Sequence, residues 1–569
     1  MYLTIGVFRT KRLIFVCALV TILIVVGSSS NNFFVNPSES SIETQTGAHL
    51  IIPSDSYTFH SPIDINSNAD FSSQGWPGNG TLGNPYVIEG LIIRVDVPCI
   101  SITGTTVHFE IRSCFITSVH PSDREGIFFD RVDNGTITNC IIDLHIRGVY
   151  LKDSFNCNIT NNIASNNRYT GFRLDDSSNC TLINNTASDE YRGFSLSSSE
   201  NCILSNNTAS NNYHSGISIS SSIRCTLTNN TLVNNGFVIS AGIVTHWFHD
   251  SWGNTVNNKP LGYFMNLTNT TIDCSQYSQI ILVNCTNVIA RNGTFSNVSI
   301  GMQLGFCTNC TLEHNTVSNN LNAGVRMQYS DTCTLRDNCA FNNDIGFYLF
   351  ISNNCTLLNN IASSNDYGFL LEFSYNCILV HDIGYNNSFY GFHLRFLENC
   401  SLTNNTAFNN TRHGFYLENV ENCILMNNTA SNNYNGLHLG FSAYCTILNN
   451  TVTSNKGYGI SLDDQSEHNV LYLNRLGDNA ISNAADEGRF NTWDDGVSSG
   501  NYWMDYNGEG TYLIPGDAES VDNYPFVWKP VPQTDDNSLI LVLVGSGIVG
   551  ILGVTIIIFV YKMKHAKSS

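Results

Sequence analysis

Between about Gly135 and His468 the chain repeats one short phrase, as in Asn179-Cys180-Thr181-Leu182-Ile183-Asn184-Asn185-Thr186-Ala187-Ser188, closed by Gly193-Phe194-Ser195-Leu196. Its cysteines recur at Cys157, Cys180, Cys202 and Cys225, and again at Cys310, Cys333, Cys355, Cys377, Cys400, Cys423 and Cys445, in steps of 22 or 23 residues. A fixed period of this length means that no unit buries its apolar face alone and that neighbours stack. Each of these cysteines follows a Gly-apolar-x-apolar run by nine residues, from Gly148 before Cys157 to Gly436 before Cys445. The single-residue slack therefore lies between cysteine and glycine, and the same count from Gly459 puts His468 in the cysteine position of the next unit.

Each unit holds two clear period-2 runs, Gly-Phe-x-Leu and Cys-Thr-Leu, and a weaker third around Thr-Ala-Ser, bounded by Asn, Ser or Gly. Those are short strands and turns. No stretch of the unit has the helix-favouring residues a helix needs. A leucine-rich repeat has a similar length, but its other half carries apolar anchors where this unit has Asn, Ser and Gly. The expected fold is all-β: a right-handed parallel β-helix with terminal caps, its coils about 4.8 Å apart, plus one C-terminal transmembrane helix.

Hydrophobic residues make up 42% and charged ones 13%, which suits a long packed interior rather than disorder. The net charge of −20 repels phosphate backbones and argues against nucleic acid as a partner. Arg9, Lys11 and Arg12 precede the apolar run Leu13 to Gly27, so residues 1–30 read as a signal peptide or uncleaved signal anchor. Leu539 to Tyr561 lacks charge and is followed by Lys562, Lys564 and Lys567. Residues 538–561 are therefore expected to span the cell membrane once, with 562–569 cytoplasmic and the bulk of the chain outside. Sequons at Asn184, Asn206, Asn229, Asn404 and Asn427 agree with an exported glycoprotein, and an Asn- and Thr-rich repeat also generates them by chance. The sequence fixes no oligomeric state.

Residues 31–85 lack the repeat and form an expected N-terminal segment and cap, since an open coil end exposes core and strand edges. The β-helix itself is expected over 86–489. Its register is interrupted over 243–300 by His246-Trp247-Phe248-His249-Asp250 and Lys259-Pro260-Leu261-Gly262-Tyr263, read as degenerate coils with an outward loop. An aromatic C-terminal cap is expected over 490–528 and a Pro-containing linker over 529–537. Gly75-Trp76-Pro77-Gly78-Asn79-Gly80-Thr81 with Pro85-Tyr86-Val87-Ile88-Glu89-Gly90, Lys259-Pro260-Leu261-Gly262-Tyr263 followed by Ile281-Leu282-Val283-Asn284-Cys285, and Gly500-Asn501-Tyr502-Trp503-Met504-Asp505-Tyr506 together resemble the NosD-like β-helix family. That resemblance covers roughly residues 60 to 528. It implies a parallel β-helix related to carbohydrate-binding and sugar-hydrolysing repeats, with copper as the implied cofactor.

Three sets of residues are candidates for function. The cysteines alternate with Leu182 and its equivalents and face inward. They read as free buried thiols, with a copper(I) ladder as the sharper alternative. His246, His249 and Asp250 offer two imidazoles and a carboxylate to a metal, or are polar surface. The outward side of the Gly-apolar-x-apolar strands carries Tyr150, Arg173, Asp175, Arg326, Tyr348, Glu372, His393, Arg395, Tyr416, Glu418 and His438. Parallel stacking aligns these into a face whose rings suit sugar faces and whose charges suit hydroxyls, or into an ordinary solvated sheet. A polysaccharide or another extended surface polymer, bound without catalysis, is the expected ligand; the alternatives are a copper-handling accessory role, which the family resemblance implies, and a polysaccharide lyase or glycoside hydrolase activity. Glu372 and Glu418 are separated by the coil of Arg395, which is expected to pair with both. Adjacent pairs such as Asp463-Asp464 point opposite ways and supply no hydrolytic geometry.

Overall fold

The computed structural model describes residues 57–528 and, beyond them, the antiparallel strands Ile540–Val542 and Phe559–Tyr561. Residues 1–56, including the expected signal, lie outside the described residues, as do the linker 529–537, the tail 562–569 and most of 538–561. The transmembrane helix expected over 538–561 is not found: the described parts of that stretch are the two strands. No helix among the described residues is long and apolar enough to cross a membrane.

Each phrase closes one coil of a parallel β-helix with three walls, here called the glycine, cysteine and alanine sheets. Register is like on like: Phe172 pairs with Phe194, Leu182 with Leu204 and Ala187 with Ala209. The apolar residue after the glycine stacks through the core, and four successive ones are rings, Phe347, Phe369, Phe392 and Phe415, at 5.1, 4.6 and 4.7 Å between centroids. The glycine is obligatory because it also points inward. A Cβ at Gly391 would lie 2.8 Å from the Gly414 carbonyl oxygen and 2.9 Å from Asn410 Nδ2. Two consecutive inward positions break the simple alternation of a strand, so the residue before the glycine faces out.

The turns divide their work between paired asparagines. Asn184, at φ 57°, takes the left-handed conformation that Asn tolerates, while Asn185 is fully buried. The buried members form a ladder. Asn428 donates from its backbone N and Nδ2 to Asn450 Oδ1 (2.8 and 3.0 Å) and from Nδ2 to the Leu402 carbonyl (2.9 Å), while its Oδ1 accepts from Asn405 N and Nδ2 (2.9 and 3.1 Å). Every polar atom of that side chain is satisfied in a dry interior, which is the condition for keeping an amide there.

The interruption is a junction between two solenoids rather than an outward loop. Thr255–Val256 and Lys259–Met265 form an antiparallel hairpin, through which the alanine strands of the first solenoid continue into the glycine strands of the second as a 20-stranded sheet. The last glycine strand of the first, Phe237–Ser240, meets side chains in place of another strand. Gln279 Oε1 accepts from Phe237 N at 2.9 Å and its Nε2 donates to Phe237 O at 2.7 Å. Gln303 does the same for Ile239 at 3.3 and 2.7 Å. Outward residues of the second solenoid, Ile281 and Val283, join the core of the first, together with the fully buried Trp247. The far ends are closed too. Helix Asn68–Ser73 lays the buried Phe71 against Tyr86 and Phe109, both at 5.0 Å, and buried Trp493 and Trp503 donate to Asp486 and Asp522 at 2.9 and 2.8 Å.

Among the described residues the ladder cysteines are free and buried, their thiols donating to backbone carbonyls, as Cys180 does to Ser178 O at 3.5 Å. The cysteine slot also accepts other residues. His249 holds it after Cys225, whose backbone N donates to His249 Nδ1 at 3.4 Å. After Cys445 the slot falls to Asn469 and not to His468, because that coil is one residue longer: Cys445 N donates to Asn469 Oδ1 at 2.9 Å. His468 instead stacks outside between Tyr444 and Phe490, at 5.1 and 5.0 Å.

Two outcomes are expected from these slots. Asp382 stands where its neighbours have Asn360 and Asn405. Its Oδ1 accepts from Asn360 N at 2.7 Å, its Oδ2 has no hydrogen-bond partner, and burial lifts its pKa from 3.8 to about 8. A carboxyl with a raised folded-state pKa supports the fold fully below its unfolded pKa and withdraws that support as pH rises through the folded one. Asp382→Asn should therefore raise the melting temperature at pH 8 and lose this gain near pH 3.8, and equal gains at both values would refute a neutral buried carboxyl. His249→Asn should be tolerated, whereas His249→Leu should cost about 1–3 kcal/mol in denaturant melts by leaving the Cys225 N–H unpaired.

Candidate functional site

In the second solenoid the outward side of the glycine sheet carries three columns: the residue before the glycine, the residue between the two apolar positions, and the residue after them. Tyr367, Tyr390 and His413 fill the first column. Tyr348, Leu370, His393, Tyr416 and His438 fill the second, and Glu372, Arg395 and Glu418 the third. Six of these rings touch as one cluster. His393 lies 4.9 Å from both Tyr390 and Tyr416 and 5.9 Å from Tyr367, and His413 lies 5.4 Å from Tyr390 and 4.9 Å from His438. The rings sit so closely that Tyr390 and His393 are only 8% and 9% exposed although they face outward.

Along one border runs a polar chain. Tyr348 Oη donates to Glu372 Oε2 at 2.7 Å, and Arg395 Nη1 donates to Glu372 Oε1 at 3.3 Å. Arg395 Nε lies 3.2 Å from Glu418 Oε2 without hydrogen-bond alignment, and His393 Nε2 is 3.1 Å from the same oxygen. Arg395 thus pairs with both carboxylates, as stacking of charges one coil apart requires. Burial lowers the pKa of His393 against the opposing pull of Glu418. Burial and the neighbouring charges of His438, Arg412 and His393 bring that of His413 down to about 3. Both imidazoles are neutral near pH 7, and the Nδ1 atom of each is buried without a partner.

The other outward candidates lie elsewhere. Tyr150, Arg173 and Asp175 form a separate triad on the first solenoid, with Asp175 Oδ2 accepting from Tyr150 Oη at 3.0 Å and Arg173 Nε at 2.8 Å. Arg326 stands next to the junction, its Cζ 5.7 Å from the Tyr348 ring centre. Tyr367, Tyr390 and His413 were absent from the sequence-derived set. Strict alternation turns the residue before each glycine inward, and only the doubled inward position at the glycine turns it out. The signal available in the sequence was the aromatic run in that column.

The residues read as metal ligands do not fit a metal. His249 is 1% exposed with both ring nitrogens engaged, Nδ1 by Cys225 N and Nε2 3.1 Å from the His246 carbonyl oxygen. Burial holds its pKa near 4, while Asp250 is exposed at the start of strand Asp250–Trp252. The ladder cysteines are sealed in the core, where a metal has no route to them. Burial pushes the thiol of Cys445 up to about 12, while hydrogen bonds with neighbouring thiols lower those of Cys202, Cys310 and Cys400. Among the described residues no group of three or more His, Cys, Asp or Glu side chains is arranged to hold a metal ion.

No curated protein matches the chain in sequence. Among solved structures, it is similar to a double mutant of the periplasmic alginate epimerase AlgG, at 14% identity and TM-score 0.33 over 55% of this chain and 76% of that one. It is also similar to an alginate lyase from Paenibacillus sp. str. FPU-7, at 12% identity and TM-score 0.28 over 51% and 97%. The A-module of mannuronan C-5 epimerase AlgE4 from Azotobacter vinelandii aligns at 11% identity and TM-score 0.26 over 75% and 99%. These values carry no argument about chemistry. The family model for NosD, described as periplasmic copper-binding protein, matches residues 91–266, 240–370 and 348–508, and the chain belongs to that family.

Proposed function

We propose that this chain binds an extended polysaccharide, without cleaving it, along the outward glycine sheet of the second solenoid. The observation that carries this reading is the strip of contacting rings from Tyr367 to His438, bordered by Glu372, Arg395 and Glu418. Ring faces stack on the apolar faces of sugars, while neutral imidazoles and the charged border bond hydroxyls. A coil rise of about 4.8 Å repeats these contacts along one direction, which suits a polymer better than a small solute. Binding is favoured over cleavage because hydrolysis needs one protonated and one ionised carboxyl flanking the bond. Here both carboxylates are neutralised by the guanidinium between them. The chain is placed outside the cytoplasm, in keeping with the periplasmic description of its family, and the apolar run Leu539 to Tyr561 is proposed as its membrane tether.

On a glycan array the full-length chain should retain at least one class of polysaccharide. Tyr348→Ala, His393→Ala and Tyr416→Ala should each weaken that binding by about tenfold while circular dichroism shows the coil still folded. A blank array with stoichiometric copper uptake would replace this reading by the copper-handling role in the family's description. New reducing ends or unsaturated sugars in the bound fraction would replace it by an enzyme. Alkaline carbonate should fail to extract the chain from membranes, whereas a chain ending at residue 537 should be released.

A further inference from the structure

The two glycine faces meet at the junction. Val238, on the last glycine strand of the first solenoid, rests against Ile300 and Ala323, with Ile345 beside them, in the outward column before the glycine of the second. Gln303 is tied to Ile239, and the residue stacked on Gln303 in the next coil is Arg326. Arg326 therefore stands in the inner corner between the faces. On the opposite wall, Arg192 is in register with Ser215, whose neighbour is His214. The Arg192 guanidinium lies over the Tyr191 ring, which is 5.1 Å from the His214 ring. Burial, with the positive fields of Arg192 and Arg326 added, lowers the pKa of His214 to about 4.

These two arginines differ from the others on the glycine faces. Arg147 pairs with Glu125 at 2.7 Å, Arg173 with Asp175 at 2.8 Å and Arg395 with Glu372 at 3.3 Å. The side chains of Arg192 and Arg326 make no hydrogen bond or ion pair with any described residue, and the Nε of each is buried without a partner, as it also is in Arg147 and Arg395, whose other nitrogens reach carboxylates. Tyrosines flank them: Arg192 Cζ lies 4.9 Å from the Tyr191 ring centre and Arg326 Cζ 5.7 Å from that of Tyr348. In a chain of net charge −20, two part-buried cations of the same sign brought together from separate solenoids are held at a cost unless an anion joins them. Guanidinium groups bind carboxylates and sulfates through paired, charge-assisted hydrogen bonds.

We propose that this corner is an anion subsite at one end of the ring strip, and that the polysaccharide is acidic, with an anionic group of one sugar unit held by Arg192 and Arg326 beside His214. The proposal rests on the glycan reading and names its substrate class. Tyr348 stands beside Arg326 and one coil before Leu370 and Tyr367, so the corner lies at the end of the same outward columns as the ring strip.

The test uses the full-length chain, titrated with oligouronates, with sulfated oligosaccharides and with the carboxyl-reduced neutral counterparts of the oligouronates. The wild type should bind one of the two acidic series about tenfold or more tighter than the neutral one. Arg192→Gln with Arg326→Gln should erase that preference while leaving neutral binding, and Arg192→Lys with Arg326→Lys should restore part of it. Tyr416→Ala should weaken acidic and neutral ligands alike. Equal wild-type affinity for acidic and neutral oligomers, or a preference that survives the double Gln variant, overturns the subsite and leaves the glycan reading standing. Failure of the wild type to bind any of the three series overturns both. Should the double Gln variant fold poorly, Arg326→Gln alone gives the same comparison at half the charge change.

Discussion

Everything in this molecule depends on the satisfaction of buried amides by the coil above and the coil below. A coil of 22 or 23 residues must turn its chain three times, and each turn brings peptide groups toward a dry interior. The ladder running through Asn405, Asn428 and Asn450 answers this by letting each side chain serve the backbone of its neighbours while bonding its own kind. The arrangement works only when the same residue recurs at the same place, so the constraint acts on the whole array and writes the repeat into the sequence. Asp382 shows the limit: one oxygen cannot donate as an amide nitrogen does, and the group remains inside only by keeping its proton.

The junction obeys the same rule by other means. A β-helix that stops exposes a strand edge and an open core. Here the edge of Phe237–Ser240 is met by the amides of Gln279 and Gln303, which offer an acceptor and a donor each, as a strand would. The core is met by Ile281 and Val283 from a face that elsewhere looks to solvent. Strand Gln279–Val283 is consequently buried on both sides, and the second solenoid serves as the cap of the first. This explains why the irregular sequence around Lys259-Pro260-Leu261-Gly262-Tyr263 is needed between two regular arrays: it reverses the chain and moves it from the alanine wall of one array to the glycine wall of the next.

Period and strand positions were legible in the sequence because they are set by local alternation and by a spacing that hardly varies. The set Tyr348, Glu372, His393, Arg395, Tyr416, Glu418 and His438 was legible for the same reason, since it lies between or just after the two apolar residues that fix direction. Tyr390 and His413 were not, because their direction is decided by the doubled inward turn at Gly391 and Gly414, a feature of packing against the neighbouring coil rather than of the strand itself. His249 was misread through its company. Beside His246 and Asp250 it looks like a ligand, and only the register of Thr226 with Asp250 reveals it as a substitute for cysteine. The place of Arg326 beside the first array could not be read at all, because it depends on how two separate arrays are joined.

Stacking like on like rewards rings, amides and aliphatic groups, but it penalises charge, since a column of one sign repels itself at every step of about 4.8 Å. The third outward column resolves this by alternation, with Glu372, Arg395 and Glu418 in successive coils. Ordinary stability is thereby accounted for along the strip, and its charges need no outside partner. The corner at Arg192 and Arg326 has no such resolution: neither side chain forms an ion pair with a described carboxylate. In an acidic array that pairs its other outward arginines with carboxylates, two unpaired cations are the place where the missing neighbour belongs to another molecule.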